Sequence, residues 1–463
     1  MKIILKHPSE TAPGNHDFSV YTEVIPESID ARRLAEQFCR LGRQRKGCFL
    51  VRLDMDSAAF CHLNVEEKRQ MVRILVRSMY QGAYLFRKEG LKELQKGDVF
   101  EMRENLADFG SAVFYLESSA AEDSRIIRAV RYGELEGRCI AYARSLGNLP
   151  ANYLGAEEFS AYMEKLAEEL GVTCRILDGM ELKRQGFGGI LAVNQGSDRE
   201  AKLAVLTREY VPGQPFTALV GKGVLFDSGG YHLKSAEAME GMKFDMCGAA
   251  NVLEAFEILV REETKENIMA VLPLAENAIG PKACRMGDVI TMLDGTTVEV
   301  CNTDAEGRLI LADALVYAQR QGAQRIVDLA TLTYSCHNAL GDRMTGMFSN
   351  DDFMSSSFIC AAGEAGEPVW RLPMDSYYRE LLARSSTTDL ANYAPGKGAG
   401  ASVAACFLES FIREGVKWVH LDAVGPSVMR GKDERLAEGA TGANIASIVT
   451  FLEKGNRDDG LSI

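Results

Sequence analysis

Four carboxylates and two lysines, spread over three short stretches, are where this chain could do chemistry. The first stretch is Gly221-Lys222-Gly223-Val224-Leu225-Phe226-Asp227-Ser228-Gly229-Gly230, with Lys234 following. The second is Met242-Lys243-Phe244-Asp245-Met246, and the third is Asn302-Thr303-Asp304-Ala305-Glu306-Gly307-Arg308-Leu309. If Asp227, Asp245, Asp304 and Glu306 converged without cations, they would repel one another. Divalent ions are what would make such a cluster stable, and shared carboxylates can bridge two ions as in two-metal hydrolases. The plainer alternative is that these acids are separate turn and cap residues, since Asp is common in both. The chain has six histidines, none in a metal-type spacing, so a zinc site of the HExxH kind is absent. Oxygen-dominated ligation by itself points to magnesium, manganese or calcium before zinc.

Other chemistries find less support. Lys222 lies between glycines, but Gly223 follows it, so the phosphate-loop pattern GxxxxGK[ST] is not met. An exposed turn lysine is the commoner role for such a residue, and Lys234 could equally be a solvated surface lysine. Arg308 sits at the start of a helical pattern, where the helix dipole prefers acids. An arginine so placed fits an anion held beside metals. GxSxG does not occur around Ser228. Cys247, Cys301 and Cys336 lie beside the three stretches, where small buried cysteine is the plainer role.

The elements that must position these residues alternate between strand and helix. Cys48 to Met55 reads as a strand, and Asn64 opens a helix with Glu67 in capping-box spacing. Residues 111–117 read as another strand, so residues 1–120 are expected to form a small amino-terminal α/β domain. Residues 121–147 form a connecting helix predicted to stop at Gly147, with Pro150 beyond. The remainder, 148–463, is expected to be the catalytic domain. Its strands are predicted at 172–177, 203–206, 216–220, 268–274, 325–329 and 418–421, and its helices at 154–170, 248–261 and 309–321. Residues 288–300 read as a hairpin around Asp294-Gly295. Gly396 to Ser402 reads as a flexible loop. Apolar strands separated by helices imply an α/β fold with a mostly parallel central sheet flanked by helices. Sites in such sheets lie in loops at the carboxyl ends of the strands.

Composition sets the bounds. The chain has 463 residues, 46% hydrophobic and 25% charged, which fits two folded domains and argues against disorder. The net charge of −13 disfavours nonspecific binding to nucleic acid or anionic membrane. Eleven cysteines, an odd number without a CxxC pair, fit reduced thiols in a cytoplasm. No run approaches the roughly 20 apolar residues of a membrane helix.

Taken together, the three stretches resemble the leucyl aminopeptidase (cytosol aminopeptidase) family. VGKGVLFDSGG at 220–230 is similar to that family's lysine- and aspartate-bearing loop, and MKFDMCGAA at 242–250 to its third metal segment. NTDAEGRL at 302–309 matches the signature without a change, and the likeness extends through DLATLT (328–333) and WVHLD (418–422). The resemblance covers about 145–450 and implies a metal-dependent aminopeptidase with two divalent ions, zinc or manganese. It implies that Lys222, Asp227, Asp245 and Glu306 bind the tighter ion, and Asp227, Asp304 and Glu306 the more exchangeable one. It further implies that Lys234 stabilises the oxyanion and that bicarbonate at Arg308 serves as general base. Met242, Thr331, Leu332 and Tyr334 correspond to positions near the pocket for the first side chain, although simple core packing would also explain them. The family acts on peptides and forms hexamers, and a cytoplasmic homohexamer is the expectation here.

Two departures stand out. Tyr334 replaces the glycine usual after TLT, and Ala423-Val424 follows HLD in an altered order. Both could narrow the pocket. A DNA-binding or assembly role on the same fold is the alternative function. The −13 charge and the presence of every catalytic position weigh against it.

Overall fold

The computed structural model describes residues 1–6, 19–21, 30–52, 63–94, 98–118 and 120–455. Two sheets organise them. The smaller has strand order Lys2–Lys6, Val113–Glu117, Cys48–Arg52, Ser19–Tyr21, and all its pairings are parallel. Of the strand predicted over 48–55, Cys48–Arg52 is a strand; residues 53–55 lie outside the described residues. Helices Ala31–Gly42 and Val65–Ala83 pack with this sheet. Asn64 caps the second of them. Its Oδ1 accepts from Glu67 N–H at 3.0 Å, and Glu67 Oε2 accepts from Asn64 N–H at 2.8 Å, the reciprocal pairing that the spacing predicts.

Helix Ser124–Asn148 joins the two halves, packing against Val65–Ala83 on one side and Cys247–Arg261 on the other. It does not stop at Gly147. A Cβ there would come within 2.8 Å of Ala440 Cβ and 3.0 Å of Cys247 Sγ, so this glycine permits close packing rather than a turn. The helix ends one residue later, ahead of Leu149 and Pro150. Arg73 ties the halves together, binding buried Glu136 at 2.7 and 2.8 Å and Glu453 at 2.7 Å.

The larger sheet has nine strands among the described residues. Its order is Val369–Arg371, Thr345–Ser349, Lys417–Asp422, Ala323–Ala330, Phe216–Gly221, Ile268–Asn277, Lys202–Arg208, Thr173–Leu177. Gly223–Asp227 branches off to continue the pairing with Ile268–Asn277. The four central strands run parallel. Reversals occur where Thr345–Ser349 meets Lys417–Asp422 and where Lys202–Arg208 meets its two neighbours. Helices Ala156–Leu170, Cys247–Arg261 and Ile445–Gly455 bury one face. Helices Gly188–Asn194, Gly307–Arg320 and Gly400–Glu409 bury the other. This is the expected α/β architecture of a mostly parallel sheet covered on both sides. The glycine-rich segment differs from its expectation, because residues 400–402 already belong to helix Gly400–Glu409. Among the described residues, no helix is long and apolar enough to cross a membrane.

Candidate active site

The three stretches converge at the carboxyl ends of the central strands. Lys222 follows strand Phe216–Gly221, and Asp227 ends the next strand, Gly223–Asp227. Asp245 stands between the short 3-10 turn Met242–Phe244 and helix Cys247–Arg261. Asp304 and Glu306 lie in the turn before helix Gly307–Arg320, and Arg308 is that helix's second residue. A Cβ on Gly307 would overlap Lys222, 2.5 Å from Cε and 2.7 Å from Nζ. Glycine at this position lets the helix approach the lysine directly.

Each lysine sits among the acids. Lys222 Nζ lies 2.8 Å from Asp245 Oδ2 and 2.9 Å from Glu306 Oε1, and it donates to Thr331 O at 2.9 Å. Lys234 Nζ lies 2.8 Å from Asp227 Oδ2 and 2.5 Å from Asp304 Oδ1. Thr331 Oγ1 donates to Asp245 Oδ1 at 2.7 Å. Lys222, Asp227, Asp245 and Glu306 are all at least nine-tenths buried. Such burial is expensive for ionised groups unless they are paired or bound to metal.

The electrostatics show a surplus of negative charge. Four carboxylates face two ammonium groups. Burial pushes Asp245 up to about 8, with Asp227 and Glu306 adding to the shift and Lys222 opposing it. Asp304 is pushed up to about 6, again by burial first and then by Asp227 and Glu306. Burial works against the charge on Lys222, yet Asp245, Glu306 and Asp227 together hold its pKa above the ordinary range. Lys234 is raised in the same way by Asp227, Glu306 and Asp304.

The donor set fits divalent metal. Asp227, Asp245 and Glu306 each offer a carboxylate oxygen within 4.8 Å of the others. Glu306 Oε2 is buried without a hydrogen-bond partner. Asp245 Oδ2 and Asp304 Oδ1 also receive no well-directed hydrogen bond, despite a lysine at ion-pair distance. Divalent metal would offset the surplus of negative charge, and adjacent cations would favour Lys222 as a neutral amine. A second buried group, Cys139, Glu254 and Glu257, also has closely spaced ligand atoms. There, however, Arg261 and Arg103 already approach Glu257 at 2.7 and 3.5 Å.

Arg308 is buried, which lowers its pKa to about 10. Its Nη1 donates to Asn392 O at 2.8 Å, while its Nε has no partner. The candidate pocket residues lie nearby in sequence and differ in setting. Met242 opens the 3-10 turn, Thr331 touches Asp245, and Leu332 packs on the core. Tyr334 opens helix Tyr334–Leu340, is 66% exposed, and stacks on His337 with ring centroids 5.3 Å apart. Cys247 is buried with its thiol pushed up to about 12 by burial, the setting of an inert thiol.

Sequence reasoning missed the amides and one acid behind these residues. Asn277 Nδ2 donates to Asp227 Oδ1 at 2.8 Å and to Thr303 O at 3.0 Å. Asp422 accepts from Thr333 Oγ1 at 2.7 Å and from the Leu332 and Thr333 N–H groups at 3.2 and 3.3 Å. Asn392 holds the Asn302–Arg308 segment. Asn277 carried one signal, an amide at the carboxyl end of an apolar strand, where α/β sheets place their sites. Asn392 carried none. Cavity size is no guide either. A cavity of about 720 Å³ has none of these acids in its lining, which comes in large part from helices Val65–Ala83, Asp352–Ala365 and Ile445–Gly455.

Comparison with known proteins agrees with the geometry. Residues 141–449 match the cytosol aminopeptidase family, catalytic domain. A probable cytosol aminopeptidase of Chlorobium phaeobacteroides is 38% identical over 417 residues, covering 88% of this chain and 80% of that protein. One from Chlorobium limicola is 40% identical over 384 residues, covering 82% and 74%. Among solved structures, the bottromycin maturation enzyme BotP in complex with Mn superposes with a TM-score of 0.78. The two are 30% identical, and the match covers 92% of this chain and 88% of BotP. With the catalytic-domain match spanning most of the chain and the acids gathered at the ends of its central strands, this protein belongs to the cytosol aminopeptidase family and is a metal-dependent aminopeptidase.

Proposed function

We propose that the protein releases neutral, leucine-type residues from the amino termini of peptides with the help of two divalent ions, zinc or manganese. The observation that carries this reading is the convergence of Asp227, Asp245, Asp304 and Glu306 on two lysines, with Glu306 Oε2 buried and unpartnered. Lys222, Asp227, Asp245 and Glu306 would hold one ion, and Asp227, Asp304 and Glu306 the other. When bound, such ions supply an activated water, polarise the scissile carbonyl and anchor the free α-amino group.

The chain's own residues do the rest. Lys234 Nζ, held between Asp227 and Asp304, is placed to donate a hydrogen bond to the oxyanion that develops on the peptide carbonyl. Arg308 keeps Nη1 on Asn392 O and presents a free Nε, which suits an oxyanion such as bicarbonate. Arg308 would hold that anion, which would supply a general base beside the acids. Asn277 and Thr331 fix the carboxylates of Asp227 and Asp245 before substrate arrives. Fixed donors and charges cost no reorganisation during the reaction.

The test is hydrolysis of a leucyl peptide and its amino-acetylated counterpart, with chelator and then with zinc or manganese restored. The free peptide will be cleaved, activity will vanish on chelation and return with metal, and the acetylated peptide will stay intact. Cleavage of the acetylated peptide, or indifference to the chelator, overturns the reading.

Tyr334 bears on the first-residue preference. Its ring follows directly on the turn that Asp422 clamps at Leu332 and Thr333, in place of the family's glycine. A bulky ring beside the pocket weakens the preference for large first residues. The Tyr334→Gly variant will therefore raise kcat/KM for Leu and Phe relative to Ala substrates, by about 10-fold, the scale of one or two methylenes in a pocket. Identical Ala, Met, Leu and Phe profiles in the variant and wild type would refute this role.

A further inference from the structure

Asn392 follows the short strand Leu390–Ala391, which pairs in parallel with Thr297–Glu299. Its N–H donates to Glu299 O at 3.0 Å. There the ladder stops and the side chain takes over. Oδ1 accepts from Cys301 N–H at 2.8 Å and Asn302 N–H at 3.2 Å. Nδ2 donates to Asn302 O at 2.7 Å and Ala305 O at 3.3 Å. The main-chain carbonyl accepts from Arg308 Nη1 at 2.8 Å. The residue is fully buried. Only an amide supplies two donors and an acceptor on one short stem; aspartate lacks the donors, and serine lacks the reach and has a single O–H to donate.

These bonds pin both ends of the turn 302–305. Asp304 leaves its middle, where its own N–H donates to Asn302 Oδ1 at 2.8 Å, and Glu306 leaves its end. The same residue anchors the guanidinium of Arg308 through one nitrogen and leaves Nε free.

We propose that Asn392 is the positioning residue that sets the Asp304 and Glu306 carboxylates and the Arg308 guanidinium in register with Asp227, Asp245 and Lys222. The proposal rests on the two-metal reading above. Partners that orient metal ligands are worth about 10–100-fold in metal affinity or activity.

Asn267 provides the comparator. It too is buried and clamps another loop, accepting from the Tyr210 and Val211 N–H groups and donating to Val211 O and Gln214 O. It lies at the opposite end of the ten-residue strand Ile268–Asn277, roughly 30 Å from the acids. Zinc and manganese affinity should be measured by chelator competition in the full chain, alongside Tm, kcat and KM. Both Asn392→Ala and Asn267→Ala will lower Tm. Asn392→Ala alone will lower metal affinity about 10–100-fold and reduce kcat more than KM changes. If Asn392→Ala does not fold, Asn392→Asp keeps the shape and the Oδ1 acceptor but loses both donated bonds, and it will show the same loss of metal affinity. Wild-type affinity in the folded Asn392 variants, or an equal loss in Asn267→Ala, overturns the positioning role. A wild-type chain that binds neither ion overturns instead the two-metal reading beneath it.

Discussion

Replacing Lys234 by alanine will lower kcat by about 10²–10³-fold while the protein stays folded and KM changes little. Removing one preorganised donor to a developing oxyanion has that cost. The side chain is 14% exposed and bridges Asp227 and Asp304 across the mouth of the acid cluster, so its loss opens no core cavity. Its ammonium is held charged by three neighbouring carboxylates, as an oxyanion donor requires. Truncation removes an interaction made in the transition state rather than one that holds the ground-state peptide, and kcat therefore carries the effect. Steady-state kinetics on a leucyl anilide, with Tm and metal content measured on the same preparation, will separate the cases. A kcat within a few-fold of wild type would leave Lys234 as merely a surface ion pair.

Asp227→Asn will have the other large effect, this time on metal affinity as well as rate. Asp227 is 2% exposed. Its Oδ1 already accepts from Gly229 N–H at 2.9 Å and from Asn277 Nδ2 at 2.8 Å, which leaves Oδ2, 2.8 Å from Lys234 Nζ, as the oxygen that faces cations. In the two-metal reading this carboxylate is shared by both ions. An amide in its place removes a charge and sets an NH2 group against either the two existing donors or the ions. Metal content after dialysis against buffered zinc or manganese will fall below that of wild type, with affinity at least about 10-fold weaker. The rate constant kcat/KM will fall on the order of 10²–10³-fold, which corresponds to about 3–4 kcal/mol of lost transition-state stabilisation. Full metal content with unchanged affinity would remove Asp227 from the ligand set.

Much of the site was legible in one dimension because its chemistry sits in short, uninterrupted segments. Asp304, Glu306 and Arg308 span five residues, and the glycines around them are required by close approach, as at Gly307 against Lys222. The strand–helix alternation was legible for the same local reason, since apolar runs bounded by caps and glycines report secondary structure directly. The errors fell where a residue's role depends on a distant partner. Gly147 looks like a helix stop and is a packing glycine, because Ala440 and Cys247 press on it from remote parts of the chain. Residues 400–402 look like loop and begin a helix, because burial of Val403, Ala404 and Phe407 outweighs the local preference of a glycine-rich stretch.

Sequence alone was enough for the family and the α/β class, and it singled out the acids and lysines that the fold brings together, since all of these reside in contiguous motifs. How they are held follows from long-range packing. Asn277, Asn392 and Asp422 come to the site from three different strand ends, and the bonds each one makes there cannot be read from its own neighbourhood. The carboxylates become a site only when folding gathers all four, three of them buried, around two ammonium groups. Desolvation and mutual repulsion then raise Asp245 and Asp304 above ordinary carboxylates, an effect of distance and burial that linear order does not encode.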